Sequence, residues 1–367
     1  MTHILFDLVT EILCRLPAKF LVQFGCVCKS WNSLISKDLE FAKKYLRMST
    51  TKRKHLVTCT WIRSKDEFSM MSYPLDSLQL HSIFTSEPTL LEYYSPIPPD
   101  SYKTVVASCD GLLCMSINNR HAVLYNPSIR KLKKLPSLDI PPHIFGYTTF
   151  AFGYDPFIDN YKVVSAFSHY CESDGTWVFK THVNVYTLGI PSWRRIQDFP
   201  SMTPNGKSGI IVSGTVNWFA SSNVPGNLSR AIVSLDLGKE CYQEISEPNY
   251  DGMPVYFTLG MIRDCLCICS HSNSFNDVWL MKEYGSKESW IKLIHLPYFG
   301  DHGYYVYRPK IVCISEDDNH VLLFQDDVPK WNWVVYDSKN DTIIRLKTQN
   351  DLCRVESKVY VESLISP

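Results

Sequence analysis

The sequence lacks net charge, because 37 Lys and Arg residues balance 37 Asp and Glu residues over 367 positions. That balance argues against a nucleic-acid partner, which normally meets a strongly basic surface. No run of 18 apolar residues occurs, so no membrane span is predicted, and the first seven residues lack the basic and long apolar regions of a signal peptide. We therefore expect neither a nucleic-acid nor a membrane partner, and a location in the cytoplasm, the nucleus or both.

The cysteines lack the spacing of a disulfide framework. Thirteen is an odd number, and free thiols in such numbers indicate a reducing compartment. Cys265, Cys267 and Cys269 alternate, which on a strand places three sulfurs on one face. They are interpreted as core residues rather than zinc ligands, because zinc ligands usually come in pairs separated by a turn.

Catalytic signatures are also lacking. The sequence contains no dinucleotide-binding glycine motif, phosphate loop, zinc-protease motif or nucleophile elbow, and its eleven histidines are scattered. We predict no catalytic residue, no metal and no cofactor. Asn126-Pro127 and Asp155-Pro156 are predicted to begin turns, since Asn or Asp followed by Pro favours them.

Residues 4–46 instead show helical periodicity. On a helix, a stripe about 140° wide forms from Leu5, Leu8, Val9, Ile12, Leu13 and Leu16. Pro17 ends this helix, residues 18–24 form a short apolar turn of helix, and Gly25 breaks the run. A second stripe is formed by Val27, Cys28, Trp31, Leu34 and Ile35. A further helix is predicted over Asp38–Leu46, with Ser36 or Asp38 as its cap.

About 48 residues are near the lower limit for a self-sufficient core. The apolar stripes therefore either dock on another chain or pack on the body of the same protein, and both options stay open. Residues 1–54 hold ten basic and four acidic residues, a net charge of +6. That charge either suits an acidic partner or is a solvated helix surface. Trp31 either pins the helices together or anchors an interface, and Cys28 is interpreted as a small buried hydrophobe.

These residues carry a resemblance. Residues 4–46, with Ile12-Leu13, Leu16-Pro17, Leu21 and the segment Val27-Cys28-Lys29-Ser30-Trp31, are similar to an F-box, the motif that binds a Skp-type adaptor in cullin-based ubiquitin ligases. One departure is Leu5-Phe6, where F-boxes usually have Leu-Pro. The resemblance implies an adaptor-binding set made of Leu5, Leu8, Ile12, Leu13, Leu16, Pro17, Leu21, Val27, Cys28 and Trp31. It also implies a three-helix F-box over residues 1–47, followed by a linker over 48–54.

After Arg53 the helical periodicity ends, and short runs of alternating apolar and polar residues follow, separated by turn residues. A hairpin pattern recurs, with corresponding points at Met71, Tyr125, Tyr186, Leu235, Met281 and Tyr336. The spacings of 46 to 61 residues between these points are typical of a β-propeller, and six hairpins predict six blades. The last strand, predicted over 357–366 with Val359, Val361 and Leu364, should complete the first blade and close the ring.

The body, residues 55–366, resembles the F-box-associated domain of plant F-box/kelch-repeat proteins, a layout shared with S-locus F-box proteins. The resemblance rests on "SCDGLLC", "LYNPSIRKLKKLP", "VYTL…SWR" and "VWLMKEYG…SWIKL", whereas the Gly-Gly pairs of true kelch repeats are missing. Trp193 and Trp290 recur in equivalent hairpins, which predicts a packing role rather than a unique site.

The loops are the predicted substrate-binding surface. The longest or most irregular segments are 85–104, 166–182, 221–230, 270–277 and 298–309. Their candidate contact residues are Tyr93, Tyr94, Tyr304, Tyr305 and Arg308, because aromatic residues and Arg favour protein contacts.

The fold class expected is therefore multidomain, an α-helical F-box followed by an all-β six-bladed propeller. The resemblance implies a non-catalytic substrate-recognition subunit that binds a Skp-type adaptor and, through it, cullin and RING subunits. Ubiquitination would then follow from proximity. Two alternatives stay open: an interaction scaffold with a weakened F-box, and a kelch-type propeller oxidase, which would need copper and a Cys–Tyr pair at the axis.

Overall fold

The structure is a computed structural model, and it describes most of the chain. The described residues are 6–49, 53–62, 67–75, 89–91, 103–140, 144–173, 176–200, 202–205, 208–222, 229–250, 254, 256–272, 275–297, 310–315, 319–327, 330–346 and 352–367. Leu5, Tyr93, Tyr94, Tyr304, Tyr305 and Arg308 lie outside these ranges.

The N-terminal helical unit, residues 6–49, contains four helices rather than the three predicted. They are α1 (Phe6–Cys14), α2 (Ala18–Phe24), α3 (Lys29–Lys37) and α4 (Leu39–Ser49). The segment over 18–24 is a helix of its own, since Pro17 separates it from α1 with extended backbone. The predicted cap at Asp38 is confirmed, because its Oδ1 accepts a hydrogen bond of 2.8 Å from the Phe41 N–H at the start of α4.

Six antiparallel sheets follow, and each is one blade of the propeller. Blade 1 contains β1 (Lys54–Ile62), β2 (Glu67–Pro74), β3 (Thr89–Leu90) and β25 (Leu352–Val361). Blade 2 contains β4 (Lys103–Cys109), β5 (Leu112–Ile117), β6 (His121–Asn126) and β7 (Lys131–Lys134). Blade 3 contains β8 (Gly146–Asp155), β9 (Asn160–Ser173), β10 (Thr176–Thr187) and β11 (Arg194–Arg195).

The other three blades have the same order of strands. Blade 4 contains β12 (Met202–Pro204), β13 (Ile210–Val212), β14 (Thr215–Ser222), β15 (Arg230–Asp236) and β16 (Tyr242–Ile245), so two short strands share the inner position. Blade 5 contains β17 (Tyr256–Ile262), β18 (Cys265–His271), β19 (Phe275–Met281) and β20 (Trp290–Pro297). Blade 6 contains β21 (Lys310–Ile314), β22 (His320–Asp327), β23 (Lys330–Asp337) and β24 (Thr342–Leu346).

The repeat predicted from the sequence is confirmed strand by strand. The six corresponding points all lie on the third strand of their blade, namely β2, β6, β10, β15, β19 and β23. Apolar clusters then fill the contacts between neighbouring blades all round the ring. Each sheet thereby buries both faces, which a single four-stranded sheet could not do.

The ring closes as the sequence predicted, with the last strand beside the first. β25 pairs antiparallel with β1, with Val359 opposite Leu56 and Val361 opposite Lys54. The strand runs earlier than the predicted 357–366, and Leu364 is not part of it. Leu364 is instead buried between the propeller and the helical unit, because the chain turns away from the sheet after Val361.

Turns and tryptophans also behave as predicted. Oδ1 of Asn126 accepts the Ser128 N–H at 2.8 Å, and Oδ1 of Asp155 accepts the Phe157 N–H at 2.9 Å, so both residues begin turns. Trp193 donates its indole N–H to the Pro136 carbonyl at 2.7 Å, and Trp290 donates to the Ser246 carbonyl at 2.9 Å. Each acceptor follows the outer strand of the preceding blade, which confirms the packing role.

The cysteines behave as core and surface residues rather than cross-links. Twelve of the thirteen cysteines, those whose side chains the structure describes, are free thiols. Cys267 and Cys269 are buried on β18, as the alternating pattern predicted, and burial raises the pKa of both thiols. No helix among the described residues is long and apolar enough to cross a membrane.

Candidate protein-binding surfaces

Exposed apolar side chains concentrate in the helical unit. Seven of the eighteen large apolar side chains exposed in the described part of the chain lie within residues 6–49. They are Phe6, Leu8, Ile12, Phe20, Val22, Val27 and Leu39. We call these seven side chains together the docking face, a name for the set rather than for one flat surface. Such a concentration on a soluble domain usually marks an interface.

The wide apolar stripe of α1 has one edge that packs on the propeller and another that is exposed to solvent. Leu13 is 1% exposed and packs in a cluster with the propeller residues Leu112 and Leu364. Leu8 and Ile12, one helical turn apart, are 54% and 57% exposed. The helices therefore pack on the body of the same chain with one edge of the stripe and leave the other edge free.

The predicted adaptor-binding residues divide by burial. Leu8, Ile12, Pro17, Val27 and Cys28 are exposed; Leu16 and Trp31 are half-buried; Leu13 and Leu21 are buried. The interpretation of Cys28 as a buried hydrophobe is wrong, because the residue caps α3 in extended conformation with its side chain in solvent. Its hydrogen bond with Ser30 lowers the pKa of the thiol.

Trp31 has a core contact within the helical unit. Its ring meets the ring of Phe24 edge-on, with centroids 5.9 Å apart, and it packs against the cluster that contains Leu13. This geometry favours the pinning role over the interface role, since the side chain is half-buried before any partner binds.

A half-buried carboxylate joins the helical unit to the propeller, and the sequence analysis did not predict it. Oε2 of Glu362, just after β25, accepts the Ala18 N–H at 3.0 Å and the Tyr45 hydroxyl at 3.1 Å. Its Oε1 lies 3.5 Å from Nε2 of His55 on β1. Ala18 is the first residue of α2, so the carboxylate satisfies a helix N–H that has no partner inside the helix.

The pKa of Glu362 shows which effect prevails at this joint. Burial alone would raise the pKa, but the hydrogen bonds from His55, Ala18 and Tyr45 outweigh it and the pKa is lowered. Burial and the nearby Glu362 charge raise the pKa of the Tyr45 phenol. Tyr45 therefore remains a neutral donor, and the carboxylate remains charged at neutral pH.

Two further contacts orient the unit. Lys43 on α4 pairs with Asp159 in the turn after β8, at 2.6 Å. Arg53 donates to the Arg15 carbonyl at 2.5 Å, while its guanidinium lies 5.1 Å from the centre of the Tyr45 ring. The helical unit is thus held by contacts to blades 1, 2 and 3 on one rim of the propeller.

The two rims of the propeller differ. The innermost strand of each blade ends on the rim that carries the helical unit, as Glu362 and Asp159 show. The opposite rim, called here the far rim, holds the starts of the inner strands and the ends of the outer ones. Leu91 and Lys103, which bracket residues 92–102, and Pro297 and Lys310, which bracket 298–309, lie on the far rim.

Among the described residues, the second and third strands of blade 3 extend furthest at the far rim. β9 and β10 have 14 and 12 residues, whereas the second and third strands of the other blades have six to nine. The segment over 166–182, predicted to be a loop, is mostly this β-hairpin. Beyond His169, the pairing partner of Gly146, residues 170–173 pair only with β10.

Aromatic side chains cover this hairpin, called here the blade 3 hairpin. Tyr170 and Trp177 are exposed, Trp177 at 68%, and the Tyr170 and Phe179 rings lie 3.9 Å apart between centroids. Tyr147 on β8 adds a ring 6.4 Å from Phe179. Exposed tyrosine and tryptophan side chains on a rigid strand pair are typical of protein interfaces.

The described residues offer no cluster of three or more His, Cys, Asp or Glu side chains that could hold a metal ion. Cys265, Cys267 and Cys269 share their strand with apolar neighbours and pack into the contact between blades 5 and 6 or line the axis.

Both the helical unit and the propeller match known protein families. Residues 5–43 match the F-box domain model, and residues 60–367 match the model of the F-box associated beta propeller domain. An Arabidopsis thaliana F-box/kelch-repeat protein is 30% identical over 98% of this chain and 95% of its own length. The F-box protein CPR1 of the same plant is 27% identical over 95% of this chain and 85% of its own length. This chain belongs to the family of plant F-box proteins that carry an F-box-associated β-propeller.

Proposed function

We propose that the chain is the substrate-recognition subunit of a Skp–cullin–F-box ubiquitin ligase. The observation that carries the proposal is the docking face, which stays exposed although other apolar side chains of the same helices are buried in a cluster shared with the propeller. A Skp-type adaptor covers this face, and cullin and RING subunits join through the adaptor. The exposed lysines of the unit, among them Lys19 and Lys29, suit an adaptor surface of negative charge.

In this arrangement the chain holds the substrate in place, and none of its residues takes part in ubiquitin transfer. The Glu362 joint fixes the propeller relative to the helical unit, so a substrate on the far rim is held at a defined distance from the adaptor. Ubiquitin transfer then depends on the proximity of substrate lysines to the conjugating enzyme.

The direct test uses the full chain and a purified Skp-type adaptor. We expect a 1:1 complex in size-exclusion chromatography with light scattering. The docking face is already exposed in the free chain, so no part of the chain has to unfold before its apolar area can be buried by the adaptor. A folded full chain that elutes separately from the adaptor would overturn the ligase proposal. The same result would favour an interaction scaffold with a weakened F-box, in which Phe6 stands where the family usually has Pro.

We further propose that the substrate protein contacts the blade 3 hairpin on the far rim. The Trp177→Ala variant should retain its melting temperature and its adaptor binding, because the side chain is exposed. It should lose substrate affinity by about 30-fold, the effect of removing an interface anchor worth about 2 kcal/mol.

The matched control is Phe157→Ala, which removes a 72% exposed ring on the rim that carries the helical unit. Quantitative proteomics of ubiquitinated proteins bound to wild type and to each variant measures the effect. Proteins lost with Trp177→Ala and kept with Phe157→Ala would be the substrates. Identical sets for all three chains would exclude the hairpin as the contact.

A further inference from the structure

A cavity lies at the centre of the propeller. It has a volume of about 680 Å³ and is bounded by the inner strands β4, β13, β17, β21 and β25. Much of its wall is apolar, with Ile210, Ile211, Met261, Ile311 and Val359 among the lining residues. Its size falls within the range of pockets that hold small organic ligands.

Two lysines line the same cavity. Lys358 lies on β25 and is half-buried, and Lys310 begins β21. Neither ammonium group has a hydrogen-bond or ion-pair partner within the described part of the chain. The other charged groups at the wall are engaged. Arg230 is held by Glu247 at 3.1 Å and stacks on Phe257, and Glu356 accepts a hydrogen bond from Thr104.

The surroundings of Lys358 disfavour its positive charge. Burial lowers its pKa; the negative charge of Glu356 opposes this shift, and the positive charge of Lys310 adds to it. An anion placed beside the two ammonium groups would offset this cost.

We propose that the axial cavity binds a small amphipathic organic anion, with its charged group at Lys358 and Lys310 and its apolar body along the isoleucine, valine and methionine wall. The wall argues against a simple inorganic ion, which would leave the apolar surface wet. Lys358, which is half-buried, argues against a neutral lipid-like ligand, because such a ligand would cover its ammonium group without offering it a hydrogen-bond or ion-pair partner. This proposal does not depend on the adaptor role, because the cavity is complete in the single chain.

The test uses the purified full chain and two probes of nearly equal shape, 4-phenylbutyrate and 4-phenyl-1-butanol. Isothermal titration calorimetry at pH 7 should show saturable 1:1 binding of the acid and at least tenfold weaker binding of the alcohol. The acid should also raise the melting temperature, whereas the alcohol should raise it less.

Two variants with equal changes of net charge make the assignment specific. Lys358→Met should lose at least tenfold in affinity for the acid and should melt no lower than wild type, because it removes a charge without a partner from the cavity. Lys339→Met, in an exposed turn of blade 6, should bind the acid as wild type does. Equal affinity for acid and alcohol, unchanged binding by Lys358→Met, or no binding of the acid at all would each overturn the proposal.

Discussion

Replacing Ile12 with Asp should lower the affinity of the full chain for a Skp-type adaptor at least 30-fold and leave the melting temperature unchanged. Ile12 is more than half exposed on α1, so a carboxylate there remains hydrated in the free chain. In the complex the same carboxylate would be buried without a partner, at a cost of at least about 2 kcal/mol. Calorimetric titration of adaptor into each chain measures the loss, and differential scanning calorimetry checks the fold.

The matched control is Ile343→Asp, which places the same change on the exposed outer strand of blade 6. It should bind the adaptor as wild type does. Wild-type affinity in the Ile12→Asp variant would show that the adaptor does not cover this part of α1. Equal loss in both variants would indicate a general effect of charge rather than a contact.

Ile12 is a better test position than Leu13 or Leu16, because a substitution at Ile12 does not disturb the core. Leu13 is buried against the propeller, and Leu16 packs against the same cluster. An aspartate at either position would place an unpaired charge in the core and disturb the helical unit itself. Lost binding in those variants could not be separated from lost folding.

The sequence predicted the architecture well because its period is long and regular. The third strands recur every 46 to 61 residues, and the unpaired edge of the first hairpin required a strand from the end of the chain. Asp38 was found because a short acidic side chain just before a helix satisfies a free N–H. These features depend on local spacing, which a single sequence contains.

Features that depend on two distant segments were not predictable. Leu8 and Leu13 share one helical stripe, and only the position of the propeller decides which of them is exposed. The blade 3 hairpin was interpreted as a loop because residues 166–182 form one of the longest or most irregular segments between the recurring strand patterns. Glu362 gave one weak signal, a single acidic residue between Val361 and the apolar pair Leu364-Ile365.

Replacing Glu362 with Ala should lower the free energy of unfolding by about 3 kcal/mol, among the largest single effects expected outside the apolar core. The side chain is only 18% exposed, and its loss would leave the Ala18 N–H and the Tyr45 hydroxyl without their acceptor. Glu362→Gln should cost less, since an amide oxygen can still accept one of these bonds. Glu40→Ala, at a side chain 84% exposed, is the matched control and should change stability by less than about 0.5 kcal/mol.

The pH dependence of the free energy of unfolding separates the contribution of the Glu362 charge from that of its hydrogen-bond geometry. Its folded pKa is lowered relative to the unfolded chain, so its contribution is fully present above the ordinary glutamate pKa of about 4.3 and is lost as the pH falls through the lowered folded value. The stability difference between wild type and Glu362→Gln should therefore be present at neutral pH and shrink as the solution becomes more acidic than about pH 4. Urea denaturation of both chains at a series of pH values measures it. A difference that stays constant down to pH 3 would show that the carboxylate acts through its hydrogen-bond geometry alone, and that its charge does not hold the helical unit on the propeller.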